Sequence, residues 1–152
     1  MDADEDKKEN LVHCIYSSVA TVKFSQSDIA DLLEKARANN EKLGVSGMLL
    51  YDEGSFFQVL EGDPQVVATL LRVIQRDQRH DKVIKIIHEE IEERDFSEWT
   101  MGYSGATRDD LKCIEGLNDF FLSNNTFIEL DEGRAKTLLT AFKEGKWRTS
   151  IN

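Results

Sequence analysis

The sequence predicts an α+β fold, and three observations predict it. Short runs rich in aromatic and β-branched residues alternate with two amphipathic helical stretches in the order β-α-β-β-α-β-β. Turn residues mark the joints, with Asp52-Glu53-Gly54 between two strands and Asp63-Pro64, the only proline, at a strand-to-helix switch. Beyond Gly105 the apolar spacing becomes helical throughout.

Residues 1–10, MDADEDKKEN, form an acidic leader expected to be disordered. Leu11–Ser17 is the first strand, with Val12, Cys14 and Tyr16 on one face and Leu11, His13 and Ile15 on the other. No role follows for His13 or His88, which are read as surface or strand-edge residues. Ser25-Gln26-Ser27-Asp28 offers N-caps for a helix whose stripe runs Ile29, Leu32, Leu33, Ala36. Four residues further along, that stripe reaches Asn40, either a helix C-cap or a carboxamide aimed at something buried.

Val45–Tyr51 and Ser55–Leu60 form a hairpin about Asp52-Glu53-Gly54. In the second of these strands Phe56, Gln58 and Leu60 share a face. Gln58 therefore enters an apolar surface. A buried carboxamide without partners costs about 1–3 kcal/mol, so the fold is expected to supply one, unless the strand lies at an edge facing water. Asp63 caps a second helix carrying Val66, Val67, Leu70, Leu71 and Ile74. Arg76–Asp81 reads as a charged turn, Lys82–Ile91 as a fourth strand and Trp99–Tyr103 as a short fifth.

This is the split βαβ order of a ferredoxin-like sheet, whose right-handed crossovers place both helices on one face. Two C-terminal helices, Arg108–Leu122 and Asp131–Glu144, are appended and expected to cover the open face or a partner.

With 152 residues and a net charge of −10 the chain fits one soluble domain without a basic stripe, which argues against nucleic acid as a partner. There is no apolar run of membrane-spanning length and no signal-like segment, so the cytoplasm is the expected location. Cys14 and Cys113 are far apart and read as reduced thiols. No metal-ligand spacing and no nucleophile–base arrangement stands out, so neither a metal site nor turnover chemistry is expected.

Three polar residues fall where the pattern predicts core: Tyr16, Asn40 and Gln58. Around them stand Tyr16-Ser17-Ser18, Asn39-Asn40 before Gly44, the strand GVSGMLLY, FFQVLEG at 56–62, Asp77-Gln78-Arg79-His80, and Trp99-x-Met101. In this order and spacing the chain, from Leu11 to Tyr103, resembles the BLUF domains, blue-light sensors that use FAD.

The resemblance implies a blue-light photoreceptor with FAD, or another flavin such as FMN, between the two helices. Tyr16 would pass an electron and then a proton, and Gln58 would switch its hydrogen bonds between Tyr16 and the flavin edge. Asn40 and Arg79 would hold that edge, with Asp77 orienting Arg79 and Ser18, Asn39 and His80 nearby. Leu32 and Ile74 would flank the ring, and Trp99 and Met101 would relay the signal. The implied division is a leader (1–10), a photosensory domain (11–104) and a helical extension (105–152) acting as cap or output. The implied partner is an unidentified protein, and self-association into a homo-oligomer is compatible with the sequence. The competing reading is a light-insensitive ferredoxin-like interaction module.

Overall fold

The computed structural model describes residues 10–97, 101–103, 108–123 and 125–143. The chain winds around one sheet of β1 (Leu11–Ala20), β2 (Ser46–Asp52), β3 (Ser55–Gly62), β4 (His80–Ile91) and β5 (Gly102–Tyr103). Their spatial order is β4-β1-β3-β2-β5. The first four strands pair antiparallel, and β5 joins the outer edge of β2 in parallel. This is the ferredoxin-like arrangement that the element order predicts.

Helices α1 (Gln26–Leu43) and α2 (Pro64–Arg76) lie on one face, and local chemistry sets their ends. At α1 the Ser25 hydroxyl accepts the Asp28 N–H while the Asp28 carboxylate accepts the Ser25 N–H, a reciprocal capping box. Gly44 closes α1 at φ +70°, a left-handed conformation that costs glycine no side-chain clash. At α2 the Asp63 carboxylate accepts the N–H groups of Gln65 and Val66, and Pro64 fills the first turn.

Strand alternation then builds two cores. Phe56 and Leu60 of β3 join Tyr16, Leu33 and Val67 under α1 and α2. Phe57 and Val59 join Ile15, Met48 and Leu50 on the opposite face. That second face is covered by the C-terminal segment: α3 (Arg108–Lys112), α4 (Asn118–Leu122), a 3₁₀ turn at Phe127–Glu129, and α5 (Glu132–Lys143). Leu111, Phe121, Phe127 and Leu138 supply its apolar contacts. Helices this short hold through burial rather than propensity. Arg108 adds a polar tie, pairing with Asp52 of β2 at 2.8 Å and donating to the Asn125 carbonyl at 2.8 Å.

The structure corrects several local expectations. The stretch Arg108–Leu122 is two five-residue helices rather than one, interrupted around Gly116, whose φ of +90° is incompatible with a continuing helix. β1 runs on to Ala20, and β4 begins at His80, inside the expected charged turn. His13 is buried, because β1 is flanked by β3 and β4 and roofed by the C-terminal segment. Its Nε2 lies 2.8 Å from a carboxylate oxygen of Glu89. Trp99 lies outside the described residues. Among the described residues no helix is long and apolar enough to cross a membrane.

Candidate functional site

A cavity of about 300 Å³ lies between α1, α2 and the sheet, a size suited to a small molecule. α1 contributes Leu32, Lys35, Ala36, Asn39 and Asn40, spaced by three and four residues so that they form one stripe. α2 contributes Leu70 and Ile74, and the sheet supplies Tyr16, Leu49, Gln58 and Leu60. Asp77, Arg79 and His80, from the turn into β4, and Met101 complete the lining. The walls are aliphatic and the floor and one end are polar. Such a slot accepts a flat, largely apolar ring with hydrogen-bonding groups along an edge.

On the floor, Tyr16 and Gln58 are directly opposed across β1 and β3. The Tyr16 hydroxyl donates to Gln58 Oε1. The other end of the carboxamide, Nε2, donates to Met101 Sδ at 3.3 Å. Gln58 thus uses its acceptor toward one neighbour and a donor toward another, a pattern that reverses when the amide turns over. Burial pushes the Tyr16 phenol far above its ordinary pKa, and the charges of Cys14 and Asp77 push the same way. The phenol is therefore neutral and holds a transferable proton at any physiological pH. Burial likewise lifts the neighbouring Cys14 thiol to about 11, against a smaller pull from Lys85.

At the polar end Arg79 grips both oxygens of Asp77, Nη2 at 2.6 Å and Nε at 3.0 Å. That bond holds the Asp77 carboxyl down at about 2 and raises Arg79. Both side chains reach solvent, so the pair adds little stability. Its effect is to fix the direction of the guanidinium. Beside it, His80 Nδ1 lies 2.9 Å from the Ser18 hydroxyl, and its ring packs on Phe56 at 4.9 Å. Burial lowers the His80 pKa, Asp77 opposes this and Arg79 adds to it. The imidazole is accordingly neutral near pH 7.

Of the residues predicted from sequence, Tyr16, Leu32, Asn39, Asn40, Gln58, Ile74, Asp77, Arg79, His80 and Met101 come together in this lining. Ser18 stands behind His80 rather than in the wall. Asn40 is 2 % exposed, and Gly44 is the cap, so the asparagine faces the cavity instead of ending the helix. The sequence reading assigns no site role to Lys35, three residues beyond Leu32, or to Leu70, which it places only in the apolar stripe of the second helix. It also missed Arg37, which is outside the lining but donates Nε–H to the Met101 carbonyl at 2.8 Å. No spacing rule points to such a contact. Glu61 was missed as well. It is fully buried and accepts from Ser46 Oγ, the Asp95 N–H and the Phe96 N–H at 2.9, 2.7 and 3.0 Å.

Comparison with known proteins places these features in one context. A family model described as "Sensors of blue-light using FAD" matches residues 11–102. Photoactivated adenylate cyclase subunit beta of Euglena longa is 34 % identical over 110 residues, 72 % of this chain and 13 % of that protein. Photoactivated adenylate cyclase subunit alpha of Euglena gracilis is 31 % identical over 125 residues, 78 % of this chain and 12 % of that protein. The chain thus spans about an eighth of the length of these curated relatives. Among solved structures, BlsA in its photo-activated state superposes with a TM-score of 0.74 at 29 % identity, covering 90 % of this chain and 97 % of that one. Dark-state BlrB gives 0.68 at 27 % identity, covering 88 % and 98 %.

Proposed function

Because the chain belongs to the BLUF family of blue-light sensors using FAD, we propose that it is a photoreceptor whose Tyr16–Gln58 pair converts light into movement of the segment carrying Met101. The observation that carries this reading is the row Tyr16–Gln58–Met101 on the cavity floor, hydrogen-bonded through both ends of one carboxamide. The donor set fits a flavin: Leu32, Ala36, Leu70 and Ile74 form apolar walls, while Asn40, Gln58 and Arg79 offer hydrogen bonds to an edge. FAD is the cofactor favoured by the family description, and FMN presents the same ring. When bound, the flavin supplies absorption of blue light and accepts an electron and a proton.

The chain's own part follows from its hydrogen bonds. Tyr16 holds its proton until it is oxidised; loss of an electron makes the phenol strongly acidic, and Oη gives up its proton along the bond toward Gln58. The carboxamide then turns over, so that Nε2 faces Tyr16 and Oε1 faces Met101. Oε1 and the thioether are both acceptors, so the Met101 contact is lost. Return of the proton and electron to Tyr16 leaves the carboxamide reversed, which is the light state; in darkness Gln58 turns back and its bond to Met101 re-forms.

Output runs through the link between β4 and β5. Phe96, near its start, lies in the core beneath the C-terminal segment, whereas Met101 lies in the core beneath α1 and α2. Asp95 pairs with Lys143 of α5 at 3.1 Å. Displacement of Met101 therefore has a route to the docking of α3, α4 and α5, and light shifts an existing equilibrium in affinity for a partner protein. The net charge of −10 favours a protein with a basic face over DNA. The test is cofactor identity and response: extraction from the purified protein is expected to release FAD, and removal of residues 105–152 to keep the light response while abolishing partner regulation. Protein that takes up neither FAD nor FMN overturns the proposal.

A further inference from the structure

We propose that Arg37 is a positioning residue that latches Met101 beside Gln58 and thereby sets how quickly the light state decays; the proposal rests on the photosensor reading above. Among the described residues, Met101 receives hydrogen bonds at two points. Its side chain receives Gln58 Nε2 at 3.3 Å, and its main-chain carbonyl receives Arg37 Nε at 2.8 Å. A thioether is a weak acceptor, whereas a guanidinium donating to a carbonyl makes a charge-assisted bond. The stronger tie is therefore on the backbone, and it comes from outside the cavity.

The neighbourhood makes that tie consequential. Arg37 follows Ala36 and precedes Asn40 by three residues, so the helix that walls the cavity also grips the segment beyond Gln58. β5 itself is weakly held: Gly102 and Tyr103 pair in parallel with Met48 and Leu49 at the sheet edge, and so short a pairing contributes little alone. Besides its packing in the core beneath α1 and α2, Met101 is then placed by its ties to Gln58 and Arg37. When Gln58 turns over, only the first is broken. Arg37 keeps the carbonyl near its starting place, which shortens the path by which Met101 and Gln58 meet again.

The test compares dark-recovery rates of the flavin-loaded full chain after blue light. Arg37→Met removes the donor at similar length. Arg37→Gln sets an amide N–H at the same step along the side chain as the arginine Nε, without the charge. Both are expected to show a light-induced absorption shift of wild-type size. Arg37→Met should recover about tenfold more slowly, the factor that one such hydrogen bond corresponds to. Arg37→Gln should return most of the rate. Wild-type recovery in Arg37→Met, or recovery in Arg37→Gln as slow as in Arg37→Met, overturns the latch. Should Arg37→Met not fold, Arg37→Lys keeps the charge but places a methylene at the donor position. Slow recovery there supports the latch and wild-type recovery contradicts it. Absence of any light-induced shift in the wild type would instead overturn the photosensor reading.

Discussion

Gln58 and Met101 meet at 3.3 Å, carboxamide nitrogen to thioether sulfur, at the junction of the cavity and the β5 segment. Met101 is 1 % exposed, so its sulfur has no competing water. Met101→Leu keeps the volume and removes the acceptor, at a stability cost under about 1.5 kcal/mol. Flavin binding and the absorption shift are expected to survive. The light-minus-dark amide signal of the β5 segment, read by infrared difference spectroscopy, should fall to near zero; an unchanged signal would place the relay elsewhere.

Tyr16→Phe leaves the ring packed but takes away the donor to Gln58 Oε1. An unpaired buried acceptor costs about 1–3 kcal/mol, so urea unfolding should shift by that amount. The variant is expected to bind flavin and give no red-shifted state. A normal photocycle would exclude Tyr16 as the donor.

Acid should destabilise the protein in two windows. His80 is held below its ordinary 6.5 by burial, so as pH falls the unfolded chain takes up this proton first. The stability it contributes is complete above about 6.5 and is lost as pH drops toward the lower folded value. Asp77, held at about 2 by Arg79, contributes above 3.8 and loses that contribution as pH falls toward 2. Melting temperature measured from pH 8 to 4.5 should decline below about 6.5 in the wild type. It should be flatter in His80→Gln.

Removing the Arg108 side chain should loosen the C-terminal segment. Asp52 is already raised by burial, with Arg108 pulling it back, so Arg108→Met leaves a half-buried carboxylate without its cation. A loss of about 1–3 kcal/mol is expected in urea unfolding. The absorption shift should be unchanged, since Arg108 lies on the far face of the sheet. Loss of the shift would mean that the C-terminal segment shapes the cavity directly.

Much of this architecture was legible from period and punctuation. The alternation in β3 placed Gln58 on an apolar face, Asp63-Pro64 marked the start of α2, and the stripe through Leu32 and Ala36 led to Asn40. Contacts between residues far apart in sequence were not legible. Arg37 reaches a carbonyl 64 positions away, and Glu61 is satisfied by N–H groups 34 and 35 positions on; neither leaves a local pattern. His13 misled because an imidazole on a strand reads as surface until strand order places β1 between two neighbours. The break at Gly116 went unseen because the apolar spacing of Leu111, Ile114 and Leu117 continues smoothly across it.

The central claim, that reversal of Gln58 is the switch, is tested most directly by visible difference spectra of the flavin-loaded wild type and Gln58→Leu under blue light. The wild type is expected to show a small red shift that reverses in darkness, and Gln58→Leu to bind the flavin without shifting. A reversible red shift in Gln58→Leu equal to that of the wild type would contradict the account.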